Sequence, residues 1–198
     1  MISPAHLAFA AAFLLVVRSS APGAAAARPI FDGKPSPSEA TATARWLAAQ
    51  NTWGVLSNVV SYSDGVPGEG RGIPYFYLTT LDPSARDALE DERTSFTLSE
   101  FPLGTCGEID PENPTCAKLT LNGKLKMVDL QSSEADLAKS ALFTKHPEMK
   151  DWPKNHHFKI FKMEIENIFL IDWFGGPKPI SPSQYLEFGR NQGSLMYS

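Results

Sequence analysis

The chain has 198 residues, with 18 Lys and Arg against 22 Asp and Glu and a formal net charge of −4. That balance excludes a nucleic-acid surface, which needs a basic face. Hydrophobic residues at 42% and aromatics at 11% can furnish a core, which excludes disorder as the default state.

Residues 7–17 (LAFAAAFLLVV) form an uncharged apolar run. It is too short for a membrane-spanning helix, which needs roughly 20 apolar residues. Arg18 and two serines follow, then helix-breaking Pro22 and Gly23, then alanines at 24–27 of the size a signal peptidase accepts. Residues 1–27 therefore read as a secretory signal peptide. The competitor is an organelle transit peptide, which would be Arg- and Ser-rich with an amphipathic period. Removing 27 of 198 residues leaves 171, the size of one domain. Residues 28–188 read as that domain, and 189–198 as a mobile tail without periodicity.

Three helix starts share one grammar. Ser36-Pro37-Ser38-Glu39 and Ser181-Pro182-Ser183-Gln184 each place a capping Ser before Pro, with Glu or Gln three residues on. Asp82-Pro83 opens a shorter helix. The first helix runs to about Gln50, with Trp46 and Leu47 as its heavy packing residues. A further helix from Ser132 or Ser133 to His146 carries acids early and Lys145 late, which suits the helix dipole; His146 reads as its C-terminal cap. Residues 118–128 alternate leucines with polar residues as one strand, with Gly123 marking a bulge or a close approach. Residues 74–80, 94–99, 158–165 and 168–174 read as further strands, the last two joined by a turn at Glu166-Asn167 and paired antiparallel. Strands outnumber helices and lack βαβ alternation. The fold class is mainly β within α+β, a barrel or strongly curved sheet with flanking helices.

The cysteines, Cys106 and Cys116, bracket Asp110-Pro111 and Asn113-Pro114. In an oxidising compartment that spacing suits a local disulfide, with two free thiols as the alternative. A zinc site lacks nearby ligands, and no metal is expected. The Gly-rich residues 64–74 lead into a strand and not a helix, so a mobile strand connection fits better than a phosphate cradle. His156 and His157, read at the start of a strand, would point to opposite faces and not share an ion. Trp53, Trp152 and Trp173 read as core or subunit-interface residues before a ligand platform. No Asn opens a glycosylation triplet, since Asn113 is followed by Pro114.

The segments SDGVPGEGRGIPYFYLTTLDP, ALFTKHPEMKDWP and NIFLIDWFGGPKPISPSQY, in this order and spacing, resemble the CREG family of secreted and endolysosomal proteins. The resemblance implies the FMN-binding split barrel shared with pyridoxamine 5'-phosphate oxidases, normally a homodimer. It also implies a branch that lost flavin chemistry and acts through protein partners from the extracellular space or a lysosomal or vacuolar lumen. No cofactor is then expected; the alternative is an FMN-dependent oxidoreductase, and haem handling is a distant third. By position, Tyr77, Thr79, Arg93 and Ser95 resemble the places where oxidase relatives touch flavin, with ordinary strand surface as the plainer reading. Relatives carry an extra strand-turn segment after the stretch matching residues 53–57. Here Ser57 abuts Asn58, so two barrel strands are expected to merge or one to vanish, as in an alternatively spliced or wrongly assembled product.

Overall fold

The computed structural model describes residues 31 and 33–188. The signal peptide and the C-terminal tail read from the sequence lie outside them. In chain order the elements are α1 (Ala40–Gln50), β1 (Trp53–Val55), β2 (Val59–Ser63), β3 (Tyr75–Leu78), α2 (Pro83–Glu90), β4 (Arg93–Ser99), β5 (Lys118–Met127), α3 (Ser133–Lys145), β6 (Lys159–Ile171), β7 (Lys178–Ile180) and α4 (Pro182–Glu187). The strands run in the order β3-β2-β1-β4-β5-β6-β7, and β6 also pairs with β3. That second pairing closes six antiparallel strands into a barrel, leaving β7 as an outlying strand. Closure removes the open sheet edges that a curved sheet would leave.

The alternation in β5 turns Leu119, Leu121 and Leu125 into the barrel, where they meet Phe96, Leu98, Phe161 and Leu170 in one buried cluster. Phe96 is the centre of an aromatic group, edge-on to both Tyr62 and Phe76 at 5.0 Å between ring centroids. Such edge-to-face pairs add to simple area burial. On the outside, α3 covers β2, β3 and β6, burying Ala135, Ala138 and Leu142 against Tyr75 and Ile160. Helix α1 is buried from Ala42 to Ala48, and its alanines let neighbouring elements approach it closely around buried Arg45, Trp46 and Leu47.

Several local expectations differ from the structure. Residues 158–174 do not form a hairpin, because β6 is a single 13-residue strand. Glu166 is an extra residue opposite the Asn122/Gly123 step of β5, where the register shifts. The polar pair Glu166-Asn167 therefore marks a bulge and not a turn. Ser57-Asn58 does not fuse or delete a strand: β1 and β2 pair from Trp53↔Ser61 to Val55↔Val59 around a tight turn. The cost of the short segment falls on β1, which meets β4 at Val55↔Thr97. Helix α1 begins at Ala40, since Glu39 first folds back in a turn on Ser36. The starts at Ser181, Asp82 and Ser132 are formed as read, with a complete capping box at Ser181.

At Gly123 the backbones of β5 and β6 approach closely. A Cβ there would overlap the Glu164 carbonyl oxygen, which belongs to backbone and has no room to move. Cys106 and Cys116 form the disulfide, with Cα atoms 5.2 Å apart. Beside it, fully buried Glu100 accepts from Lys34, Thr105 and the Ala117 N–H, which compensates its burial.

The connection between β2 and β3 is tied down. Buried Arg45 of α1 donates to the carbonyl oxygens of Gly70, Tyr185 and Phe188, joining that loop to α1 and α4. Asp64, at the start of the loop, is buried near Arg45 and Lys145 without an ion pair to either among the described residues. Burial pushes its carboxyl above the ordinary value of 3.8, against the pull of Lys145 and then Arg45. Burial also pushes the Lys145 ammonium down, against the pull of Asp64. His146 caps α3 through its backbone, and its ring bonds the Tyr62 carbonyl at 2.9 Å.

Two outcomes follow from these contacts. Gly123→Ala is expected to lower unfolding stability by about 2–3 kcal/mol, as forced overpacking does, measured by urea denaturation. A carboxyl with a raised folded pKa binds protons more readily in the folded state, so its contribution favours folding as pH falls from that raised value toward 3.8. Melting curves across that window are expected to show a gain on acidification in the wild-type protein that Asp64→Asn lacks.

Candidate functional site

The Thr79 hydroxyl at the end of β3 donates to the His156 carbonyl at 2.5 Å. That bond and the pairing of Tyr77 with Ile160 and Leu78 with Lys159 hold β3 against the turn that leads into β6. Three aromatic rings meet as a result. Tyr77 stacks on Phe158 at 4.9 Å, and Trp152 lies 5.0 Å from Phe158 and 6.0 Å from Tyr77. Phe143 of α3 backs Tyr77 edge-on at 5.4 Å. The rings border a cleft of about 430 Å³ whose wall includes Val60, Leu78 and Met149. That volume suits a small ligand or one large side chain. Polar groups at its margin are Ser61, Thr79 and Asp82. Asp82 is the N-cap of α2 and accepts from the Ser84 N–H at 2.7 Å. Asp82 is the sole charged residue among the described residues lining the cleft.

Of the four residues aligned by resemblance with flavin contacts, Tyr77 and Thr79 lie in this cleft. Arg93 and Ser95 lie on β4, and two strands separate β3 from β4 in either direction round the barrel. A single chain therefore does not bring the four together. The Arg93 guanidinium is clamped on Asp91 by Nε and Nη2, and those hydrogen bonds hold the Asp91 carboxyl down to about 2.

For the tryptophans the structure separates core from other positions and leaves the subunit-interface expectation standing. Trp152 belongs to the aromatic cleft. Trp53 and Trp173 are 39% and 51% exposed, so neither is core. His156 and His157 are not on a strand: residues 154–156 form a 3₁₀ turn, and His157 closes it at φ 53°. Asp82 was legible as a cap, but its place in the cleft depends on the β2–β3 pairing and on the turn that carries Trp152.

A second surface lies outside the barrel. Cross-strand partners Val59, Val55, Thr97, Thr120, Phe169 and Pro179 form an unbroken row over six strands. Thr97 and Thr120 hydroxyls meet at 3.3 Å. The neighbouring rows are Ser95, Asn122 and Asn167 on one side and Ser99, Lys118 and Ile171 on the other. Lys118 is the single charged residue among them, and its ammonium is folded onto four carbonyl oxygens of residues 111–116.

A closed antiparallel barrel of six strands with four flanking helices is the split-barrel architecture. Among solved structures, a heme binding protein from Mycobacterium smegmatis matches with TM-score 0.60 at 16% identity, over 78% of this chain and 61% of that one. A protein of unknown function from Agrobacterium tumefaciens matches with TM-score 0.58 at 22% identity, over 80% and 65%. At such identities these likenesses speak for the fold alone. The family profile described as "CREG, beta-barrel" matches residues 35–187. Protein CREG1 of Gallus gallus is 39% identical over 169 residues, 76% of this chain and 87% of the relative. Protein CREG1 of Homo sapiens is 35% identical over 76% of this chain and 75% of its own length. The chain belongs to the CREG family.

Proposed function

We propose that this chain is a non-catalytic CREG-family protein of the secretory pathway, acting as a homodimeric binding module on a barrel that no longer holds flavin. The observation that carries this reading is the charge of the cleft. The FMN phosphate is doubly or nearly doubly negative and is held in proteins by Arg, Lys and hydroxyl donors. Here the charged group at the cleft is the Asp82 carboxylate, the Thr79 hydroxyl is engaged by His156, and Arg93 is across the barrel on Asp91. These residues do not fit a flavin phosphate. The alternative, an FMN-dependent oxidoreductase, keeps the Tyr77 ring in its favour but needs a cation that the described residues do not supply at the cleft. Haem handling, which the M. smegmatis likeness raises, has no histidine among the described lining residues to support it.

The uncharged outer row supports the homodimer. A two-fold interface sets one patch against its own copy, so a patch carrying a single sign of charge would repel itself. The row from Val59 to Pro179 avoids that repulsion and offers apolar and hydroxyl surface. The disulfide between Cys106 and Cys116 supports an extracellular or lumenal address.

Thr97→Arg would set two cations against each other near the middle of the paired row while leaving the barrel interior untouched. Sedimentation velocity is expected to show a wild-type dimer and a monomeric variant with an unchanged circular dichroism spectrum. A wild-type monomer at tens of micromolar would contradict the dimer.

A further inference from the structure

We infer that the aromatic cleft is a recognition site for an organic cation: an ammonium or guanidinium group carried on an apolar or aromatic stem. The inference builds on the reading that the cleft is not a flavin pocket, and it names the ligand class that takes its place. Three features of the cleft point the same way. Its floor and wall are apolar, from Val60, Leu78 and Met149, which suits a stem. Its aromatic border gathers Tyr77, Phe158 and Trp152 within 4.9–6.0 Å of one another, side chains of the type that attracts cations. Its one charged lining group among the described residues is a carboxylate.

Asp82 is well suited to that role. One oxygen, Oδ1, is occupied by the Ser84 N–H as the cap of α2. That bond fixes the carboxylate in place, and Oδ2 has no hydrogen bond among the described residues. A carboxylate held by a helix N-cap has lost its rotamer freedom before the ligand arrives, which lowers the entropic cost of binding. Among the described residues no lysine or arginine lines the cleft to compete for it. An anion or a phosphate ester is repelled by the same arrangement. A neutral hydrocarbon would satisfy the wall but leave the charge at the margin unused.

The test compares 2-phenylethylammonium with 2-phenylethanol, which shares its stem and lacks the charge. Binding is followed by calorimetry and by the Trp152 indole N–H resonance in ¹H–¹⁵N spectra. The ammonium is expected to bind about tenfold or more tightly than the alcohol at low salt, and to shift the Trp152 resonance. Asp82→Asn keeps an N-cap of equal quality, so the fold survives while the charge is lost; that variant is expected to bind the two compounds alike. Capped amides of Lys and Arg form a second arm. Their binding assigns the site to side chains of a protein partner, and their failure beside a bound ammonium assigns it to small amines. Equal affinities for ammonium and alcohol in the wild-type protein, or no binding of the ammonium, would overturn the inference. So would a preference that survives Asp82→Asn. FMN is titrated in parallel: a flavin that binds stoichiometrically overturns both this inference and the flavin-free reading, whereas failure of both ligands overturns this inference alone.

Discussion

The fold depends on the close approach of β5 and β6 at Gly123. There the Glu164 carbonyl occupies the space of a side chain, and Glu166 enters β6 as an extra residue. A bulge of this kind bends its strand and increases the local twist. The bend lets one long strand serve two neighbours on its other edge. Lys159 to Lys162 pair with β3, and Ile168 to Leu170 pair with β7. The two pairings use separate stretches of the same edge, on either side of the bulge. The β3–β6 seam brings Tyr77 beside Phe158, so the cleft is a consequence of how the barrel closes.

Local rules were legible where one element decides them. The caps at Ser132, Asp82 and Ser181, the alternation of β5 and the special character of Gly123 all follow from short-range chemistry. What failed to show in the sequence depends on partners. A polar Glu166-Asn167 step looks like a turn in one dimension, and becomes a bulge because β5 runs past it without a break. The Ser57-Asn58 junction looked too short for two strands, yet a tight turn needs few residues, and β1 contracts to three. Nothing local marks Arg45, Asp64 and Glu100 as buried; Arg45 and Glu100 are held by distant parts of the chain. Trp152 carried no local mark separating a cleft wall from a core residue.

Charge is distributed in a way that separates the two surfaces. The outer row that crosses six strands carries none, and the Lys118 ammonium beside it is turned onto loop carbonyls. Beyond the bulge, β5 and β6 turn Lys124, Lys126, Lys162 and Glu164 outward, where Lys162 pairs with Glu134 of α3 and Lys126 with Glu92. Val59 lies at the end of the uncharged row and also at the wall of the cleft. A second copy seated on the row would therefore stand next to the cleft mouth, and ligand and dimer would share a border.

On the reading proposed above, this split barrel has kept its architecture and lost its flavin. Visible absorbance tests it most directly. The mature protein, purified from a secretory host, is incubated with excess FMN and passed through gel filtration. The expected result is a protein peak without the flavin bands. A stoichiometric flavin spectrum that elutes with the protein would contradict the account.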